Sequence, residues 1–118
     1  MPQALVIDDE KSILSIIESI LTCLGYDVSI AHNGQEGIEI FEREHNLDLV
    51  ITDIRMPGTD GNGVAEHIRS SNRPETPIVG VSGFANEVDT KLFDFLLPKP
   101  FRIQTLADVI QTIEEDRR

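Results

Sequence analysis

Leu47-Asp48-Leu49-Val50-Ile51-Thr52-Asp53-Ile54-Arg55-Met56-Pro57-Gly58 is the stretch that decides the fold. Apart from Asp48, the run Leu47 to Ile51 is apolar, and a strand without a polar face must be covered on both sides. That is the condition of a parallel sheet with helices on each face. The run ends on a carboxylate, Asp53, and the pair Pro57-Gly58 then turns the chain. Working outward, Ala4 to Ile7 and Ile78 to Val81 repeat the pattern, the first followed by Asp8-Asp9-Glu10 and the second by Ser82. These three runs are the expected central strands. Val28 to Ala31 alternates apolar with small or polar residues, as a half-exposed edge strand does, and Phe95 to Leu97 is a short last strand ahead of Lys99.

Segments of helical period separate the strands. Ile13, Ile16, Ile17, Ile20, Leu21 and Leu24 form an apolar stripe that stops at Gly25, a C-terminal cap. Asn33 with Glu36 has the form of a capping box ahead of Ile38 and Phe41. Val64, Ala65 and Ile68 mark a third helix, and Ile103, Leu106, Ala107, Ile110 and Ile113 give the last helix its buried stripe, in a pattern running to Glu114. Between Asn86 and Lys91 only Val88 is firmly apolar, so a fourth helix there is expected to be shortened or irregular. The alternation reads as α/β class, a doubly wound five-stranded parallel sheet, in one domain over residues 1–118.

Composition narrows the function. With 21 acidic against 10 basic residues, the formal charge of −11 opposes direct binding of nucleic acid, which depends on Lys and Arg at phosphates. No stretch has the length of a membrane span, and Met1-Pro2-Gln3 leads straight into a strand without a basic region or cleavage site, so no membrane partner and a cytoplasmic location are expected. Cys23 has no internal partner and lies in the apolar pattern of the first helix, where a packed thiol is expected. His32, His45 and His67 share no metal-ligand spacing and are expected at the surface.

Open parallel sheets bind ligands beyond the carboxyl ends of their strands, near the point where strand order reverses. Asp8, Asp9 and Glu10 after the first strand, Asp53 after the third, Ser82 after the fourth and Lys99 after the fifth are gathered there. Crowded carboxylates call for a cation or for raised pKa values, and an all-oxygen ligand set suits a hard ion such as Mg²⁺. An ammonium and a hydroxyl add donors for phosphoryl oxygens, whose transfer depends mainly on positioning and electrostatic stabilisation. Taken singly, each residue has a plainer reading: Asp8 or Asp9 as a helix cap, Asp53 as a turn residue, Ser82 as a strand-end hydroxyl, Lys99 as a solvated charge. Their convergence on one edge of the sheet outweighs those readings.

Val6-Ile7-Asp8-Asp9-Glu10, the stretch Asp48 to Gly58, Val81-Ser82-Gly83 and Leu97-Pro98-Lys99-Pro100-Phe101 resemble the signature blocks of bacterial two-component response-regulator receiver domains, single-domain chemotaxis regulators among them. They come in the family's order and span essentially the whole chain. The resemblance implies strand order 2-1-3-4-5, with Asp53 as phosphoryl acceptor and Mg²⁺ held by Asp8, Asp9, Asp53 and the backbone carbonyl of Arg55. It also implies that Ser82 and Lys99 contact the phosphoryl group and that the Lys99-Pro100 bond is cis. The implied role is that of a phosphoacceptor rather than an enzyme, with autodephosphorylation as the only turnover. A sensor histidine kinase or histidine phosphotransfer protein would supply the phosphoryl group, and the response would be altered binding to a downstream protein or onward transfer of phosphate.

Two other classes compete. An aspartyl Mg²⁺-dependent phosphohydrolase carries a second acid two residues after its nucleophile, where this chain has Arg55. A docking module that is never phosphorylated has no use for the intact acids, Ser82 and Lys99. The chain also departs from its relatives. The aromatic residue usual three positions before the lysine is Leu96 here, and Phe95, one place off, faces the other side of the sheet. The span from Ser82 to Lys99 is short. The segment Gly83 to Lys91 is therefore expected to be mobile in the free protein and to become ordered or displaced on phosphorylation, with Phe84 moving more than Leu96. Because the last helical pattern ends close to Arg118, output through a protein contact is expected rather than through an effector domain.

Overall fold

The computed structural model describes residues 1–116, the side chain of Ala85 excepted. Strand and helix alternate as β1 (Gln3–Ile7), α1 (Lys11–Cys23), β2 (Asp27–Ala31), α2 (Gly34–Arg43), β3 (Leu49–Asp53), α3 (Gly61–Arg69), β4 (Ile78–Ser82), β5 (Phe95–Pro98) and α4 (Ile103–Asp116). The strands pair in parallel in the order β2-β1-β3-β4-β5, the order the resemblance implies. Between β4 and β5 two 3₁₀ turns, Ala85–Glu87 and Thr90–Leu92, stand where a helix of the pattern was expected to be short or irregular.

Each central strand is buried on both faces because alternate residues serve two separate cores. Ala4, Val6, Leu49, Ile51, Val79 and Val81 pack under α1 and α4. Leu5, Ile7, Val50 and Ile78 pack under α2 and α3, with Phe41 and Ile68. Among the described residues, no helix is long and apolar enough to cross a membrane.

Local chemistry sets the helix ends. Gly25, at φ +91°, takes the left-handed turn after α1 that a side chain would strain. Asn33 caps α2 by accepting from the Glu36 amide at 2.8 Å, but the Glu36 carboxylate reaches the backbone N–H of His32 instead of that of Asn33, so the box closes one residue early. The buried stripe of α1 is Leu14, Ile17, Ile20 and Leu21. Ile16 and Leu24, expected in it, are exposed: residue 16 lies about 200° around the helix from residue 14, and Leu24 follows the last helical residue as its C-cap. Cys23 is likewise exposed, and not packed as its apolar neighbours in sequence implied. Ile103 is 63% exposed at the start of α4, whose buried stripe begins at Leu106.

With no helix packed between β4 and β5, Arg69 of α3 secures that edge. Its guanidinium donates to the carbonyls of Leu92 (3.0 Å), Pro74 (2.5 Å) and Thr76 (2.8 Å) and to Asp94 Oδ2 (2.8 Å). Asp94 Oδ2 in turn accepts from the amide of Ile78 at 2.7 Å, which joins the start of β4 to the same centre.

Candidate functional site: a carboxylate cluster at the strand ends

The parallel register sets the site. Ile7 lies beside Thr52 and Asp53 beside Val81, so Asp8, Asp53 and Ser82 emerge together at the carboxyl edge of β1, β3 and β4. Asp53 is only 6% exposed. Its Oδ1 accepts from the amide of Ile54 at 3.0 Å and from the Lys99 ammonium at 3.2 Å, and Oδ2 carries neither contact. The Thr52 hydroxyl, buried beneath, donates to the Asp53 carbonyl at 2.8 Å. Gly61 opens α3 so close to that carbonyl that a Cβ there would lie 2.4 Å from its oxygen.

Asp8 is fully buried. Its Oδ1 accepts from the Glu10 amide at 2.9 Å, a turn that leads into α1, while its Oδ2 has no hydrogen-bond partner. Lys99 brings its ammonium to 3.6 Å from that oxygen and 3.5 Å from Glu10. Its backbone amide is held by the Ser82 carbonyl at 2.9 Å, and the Lys99-Pro100 bond is cis, as the resemblance implied. Carboxylate oxygens of Asp8, Glu10 and Asp53 all lie within 4.8 Å of one another.

Electrostatics follow from this crowding. Burial pushes the Asp8 carboxyl up to about 6; the Glu10 amide opposes the rise, and Asp53 adds to it. Burial also raises Asp53 above the ordinary carboxylate range, against the pull of Lys99. Burial works to lower Lys99, but the carboxylates of Asp8 and Asp53 outweigh it, so its pKa is raised and the ammonium is kept charged. One ammonium therefore faces three carboxylates, and the charge left over is that of a divalent cation. The orphaned buried oxygen of Asp8 and the all-oxygen donor set fit Mg²⁺.

The expected residues fall into two groups. Asp8, Asp53 and Lys99 meet. Glu10 joins them, although its only signal in the sequence was its place as third acid after β1. Asp9 is exposed and stands outside the group within 4.8 Å. The Ser82 hydroxyl points into its own loop: Oγ accepts from the Phe84 amide at 2.9 Å and donates to the Phe84 carbonyl at 3.1 Å. The Arg55 side chain does not reach freely into water but bonds Glu87 through Nε (3.2 Å) and Nη2, with its guanidinium 4.4 Å from the centre of the Phe84 ring. Nothing in the sequence pattern singles out Glu87. The three histidines hold no cluster of potential metal ligands among the described residues; His32 pairs with Glu36 and His67 with Glu42.

The sequence matches the family described as "Response regulator receiver domain" over residues 4–111. The chain belongs to that family. A relative of this receiver domain, the "Probable transcriptional regulator ycf27" of Cyanidium caldarium, is 40% identical over 114 residues. They make up 92% of this chain and 45% of that protein. The "Sensor histidine kinase AtsR" of Burkholderia thailandensis is 33% identical over 118 residues, which cover 93% of this chain and 19% of the kinase. The receiver domain thus spans less than half the length of these relatives. Among solved structures, the response regulator TrrA of Thermotoga maritima "in complex with Mg(2+)-BeF" superposes with a TM-score of 0.87 at 30% identity, covering 96% of this chain and 99% of that one. Family membership also removes the phosphohydrolase as a rival, since receiver domains are phosphoacceptors.

Proposed function

We propose that this receiver domain accepts a phosphoryl group on Asp53 from the phosphohistidine of a sensor histidine kinase or a histidine phosphotransfer protein. The observation that carries the reading is Asp53 itself, nearly buried at the end of β3 with an ammonium 3.2 Å from one oxygen and the unpartnered Asp8 oxygen close by. An Asp53 carboxylate oxygen attacks phosphorus, a P–O bond forms as the P–N bond breaks, and the electron pair leaves on the imidazole nitrogen, which takes a proton. Lys99 remains paired with the acquired negative charge, and Ser82 supplies a neutral hydrogen-bond donor. Asp8, Asp9, Asp53 and the Arg55 carbonyl would hold Mg²⁺, with Glu10 added by the geometry. The ion supplies positive charge against the phosphoryl oxygens. Hydrolysis of the same acyl phosphate would reset the domain. The solved relative with Mg²⁺ and BeF and the similarity to a sensor histidine kinase support the reading. The output is altered binding to a downstream protein or onward transfer of phosphate.

Incubation with Mg²⁺ and a small acyl phosphate, read by intact mass, tests it. A single phosphoryl adduct is expected in the parent chain and none in Asp53→Asn, whose amide is nearly isosteric but a poor nucleophile. An adduct of full yield on the variant refutes the assignment.

A further inference from the structure

The β4–β5 connection lacks a helix, yet it is tied down. Asn62 of α3 donates to the Glu87 carbonyl at 2.8 Å and accepts from the Asp89 amide at 3.0 Å, while Arg55 pairs with the Glu87 carboxylate and carries the Phe84 ring on its guanidinium. Phe84 is therefore held from two sides. Its ring rests on Arg55, and its backbone amide and carbonyl are both bonded to the Ser82 hydroxyl. The other side of the same loop has an empty apolar slot of about 270 Å³, lined by Ser82, Gly83, Val88, Leu96, Leu97 and Pro98. Apolar cavities of roughly 150 Å³ take up benzene, so the slot has room for a phenyl ring. Phe84 is 51% exposed where it stands, and Gly83 before it has open space where a side chain would be.

We propose that Phe84 has two seats, one on Arg55 and one in the slot between Val88 and Leu96, and that phosphorylation moves it from the first to the second through Ser82. This rests on the reading of Asp53 as phosphoacceptor. A phosphoryl group on Asp53 competes for the Ser82 hydroxyl, and a charge-assisted hydrogen bond is stronger than the neutral one that Ser82 makes to Phe84. Once Oγ turns, the amide and carbonyl of Phe84 lose their common partner and the turn that presents the ring to Arg55 opens. What remains on the first seat is one exposed cation–π contact, a weak interaction where the groups are solvated. The slot offers burial of the ring instead. The ring thus takes over, on the loop, the two-position behaviour that Leu96 cannot provide on β5. The readout is a change of surface beside the site: Phe84 leaves it, and the Arg55–Glu87 pair is uncovered.

Fluorine NMR of protein labelled with fluorophenylalanine tests this in the intact chain, with the Phe84 resonance assigned by its loss in Phe84→Leu. Intact mass measured on the same sample reports phosphoryl uptake. The Phe84 resonance is expected to shift on phosphorylation, and Val88→Phe, which fills the slot, should abolish the shift in the fraction of protein that carries the adduct, with uptake lowered but still measurable. Glu87→Gln frees Arg55 and should raise amide hydrogen exchange across Phe84 to Asp89 about two- to fivefold in the unphosphorylated protein, as loss of an exposed ion pair allows. A phosphoryl adduct with an unmoved Phe84 resonance overturns the two-seat proposal alone. The same shift in Val88→Phe also overturns it. Absence of any adduct overturns the acceptor reading and this proposal with it.

Discussion

Asp8→Asn isolates the cost of burying the Asp8 charge without a divalent cation beside it. The carboxylate is fully buried, one of its oxygens lacks a hydrogen-bond partner, and its pKa stands at about 6 against an ordinary 3.8. At about 1.36 kcal/mol per pKa unit, that difference places the ionised Asp8 about 3 kcal/mol above what the same group costs in the unfolded chain. The amide keeps the shape and the acceptor for the Glu10 N–H, and the pull of Lys99 that it gives up is already counted in the raised pKa. A net gain of about 2–3 kcal/mol for the variant without Mg²⁺ at pH 7 is expected, or roughly 6–12 °C in Tm for a domain of this size. The sign follows from linkage. A carboxyl whose folded pKa exceeds its unfolded value binds its proton more tightly when folded, so its contribution to stability is complete below 3.8 and is lost as pH rises through about 6. The advantage of the variant should therefore vanish near pH 4 and grow towards pH 7.

Thermal denaturation with a chelator present, at pH values between about 4 and 7.5, measures this directly. Mg²⁺ adds the complementary test. It should stabilise the parent chain above pH 6, where binding need not displace a proton from Asp8, and should stabilise Asp8→Asn far less. A metal-free variant that is no more stable than its parent at pH 7, or an advantage equal at pH 4 and pH 7, would refute the argument that Asp8 is a buried charge awaiting a cation.

Arg69→Ala removes four hydrogen bonds at the edge of the sheet and leaves the Thr76 and Leu92 carbonyls without this donor, so a loss of about 2–3 kcal/mol is expected from urea unfolding, with hydrogen exchange rising first in β5; unchanged β5 exchange would count against Arg69 as its anchor. Gly61→Ala puts a Cβ 2.4 Å from the Asp53 carbonyl oxygen, and the shift needed to relieve it should cost about 1–3 kcal/mol and slow phosphoryl uptake as well. Uptake at the parent rate in a destabilised Gly61→Ala would show that the displacement stops short of the Asp53 side chain.

The sheet was legible because its strands are apolar on both faces: Leu5 and Val6, or Val50 and Ile51, belong to different cores and leave no polar alternation to misread. The site was legible for a related reason, since a carboxylate that ends such a strand has nowhere to go but the sheet edge. Helix faces were harder. In α1 nearly every third or fourth residue is apolar, so Ile16 and Leu24 read as well as Leu14, and only packing shows which side meets the sheet. Cys23 misled in the same way. Long-range polar contacts had no local signal at all: Arg55 and Glu87 stand 32 residues apart, and Arg69 and Asp94 25 apart. The proximity of Glu10 to Lys99 depends on the chain between them folding first.

The charges at the strand ends connect the site to the loop beside it. Asp8, Glu10 and Asp53 already outnumber Lys99, and the Arg55 guanidinium is committed to Glu87. A phosphoryl group adds roughly −1.5 to −2 more charge at the same place. A divalent ion can offset most of that, but the phosphoryl oxygens still need directed donors, and Lys99 is already shared among three carboxylates. The Ser82 hydroxyl is the donor left at the end of β4, and a rotation of its side chain towards Asp53 releases both backbone groups of Phe84. Charge balance at Asp53 and the position of Phe84 are thus parts of one equilibrium, so a change that weakens the hold on Phe84, such as Glu87→Gln, should also favour phosphoryl uptake.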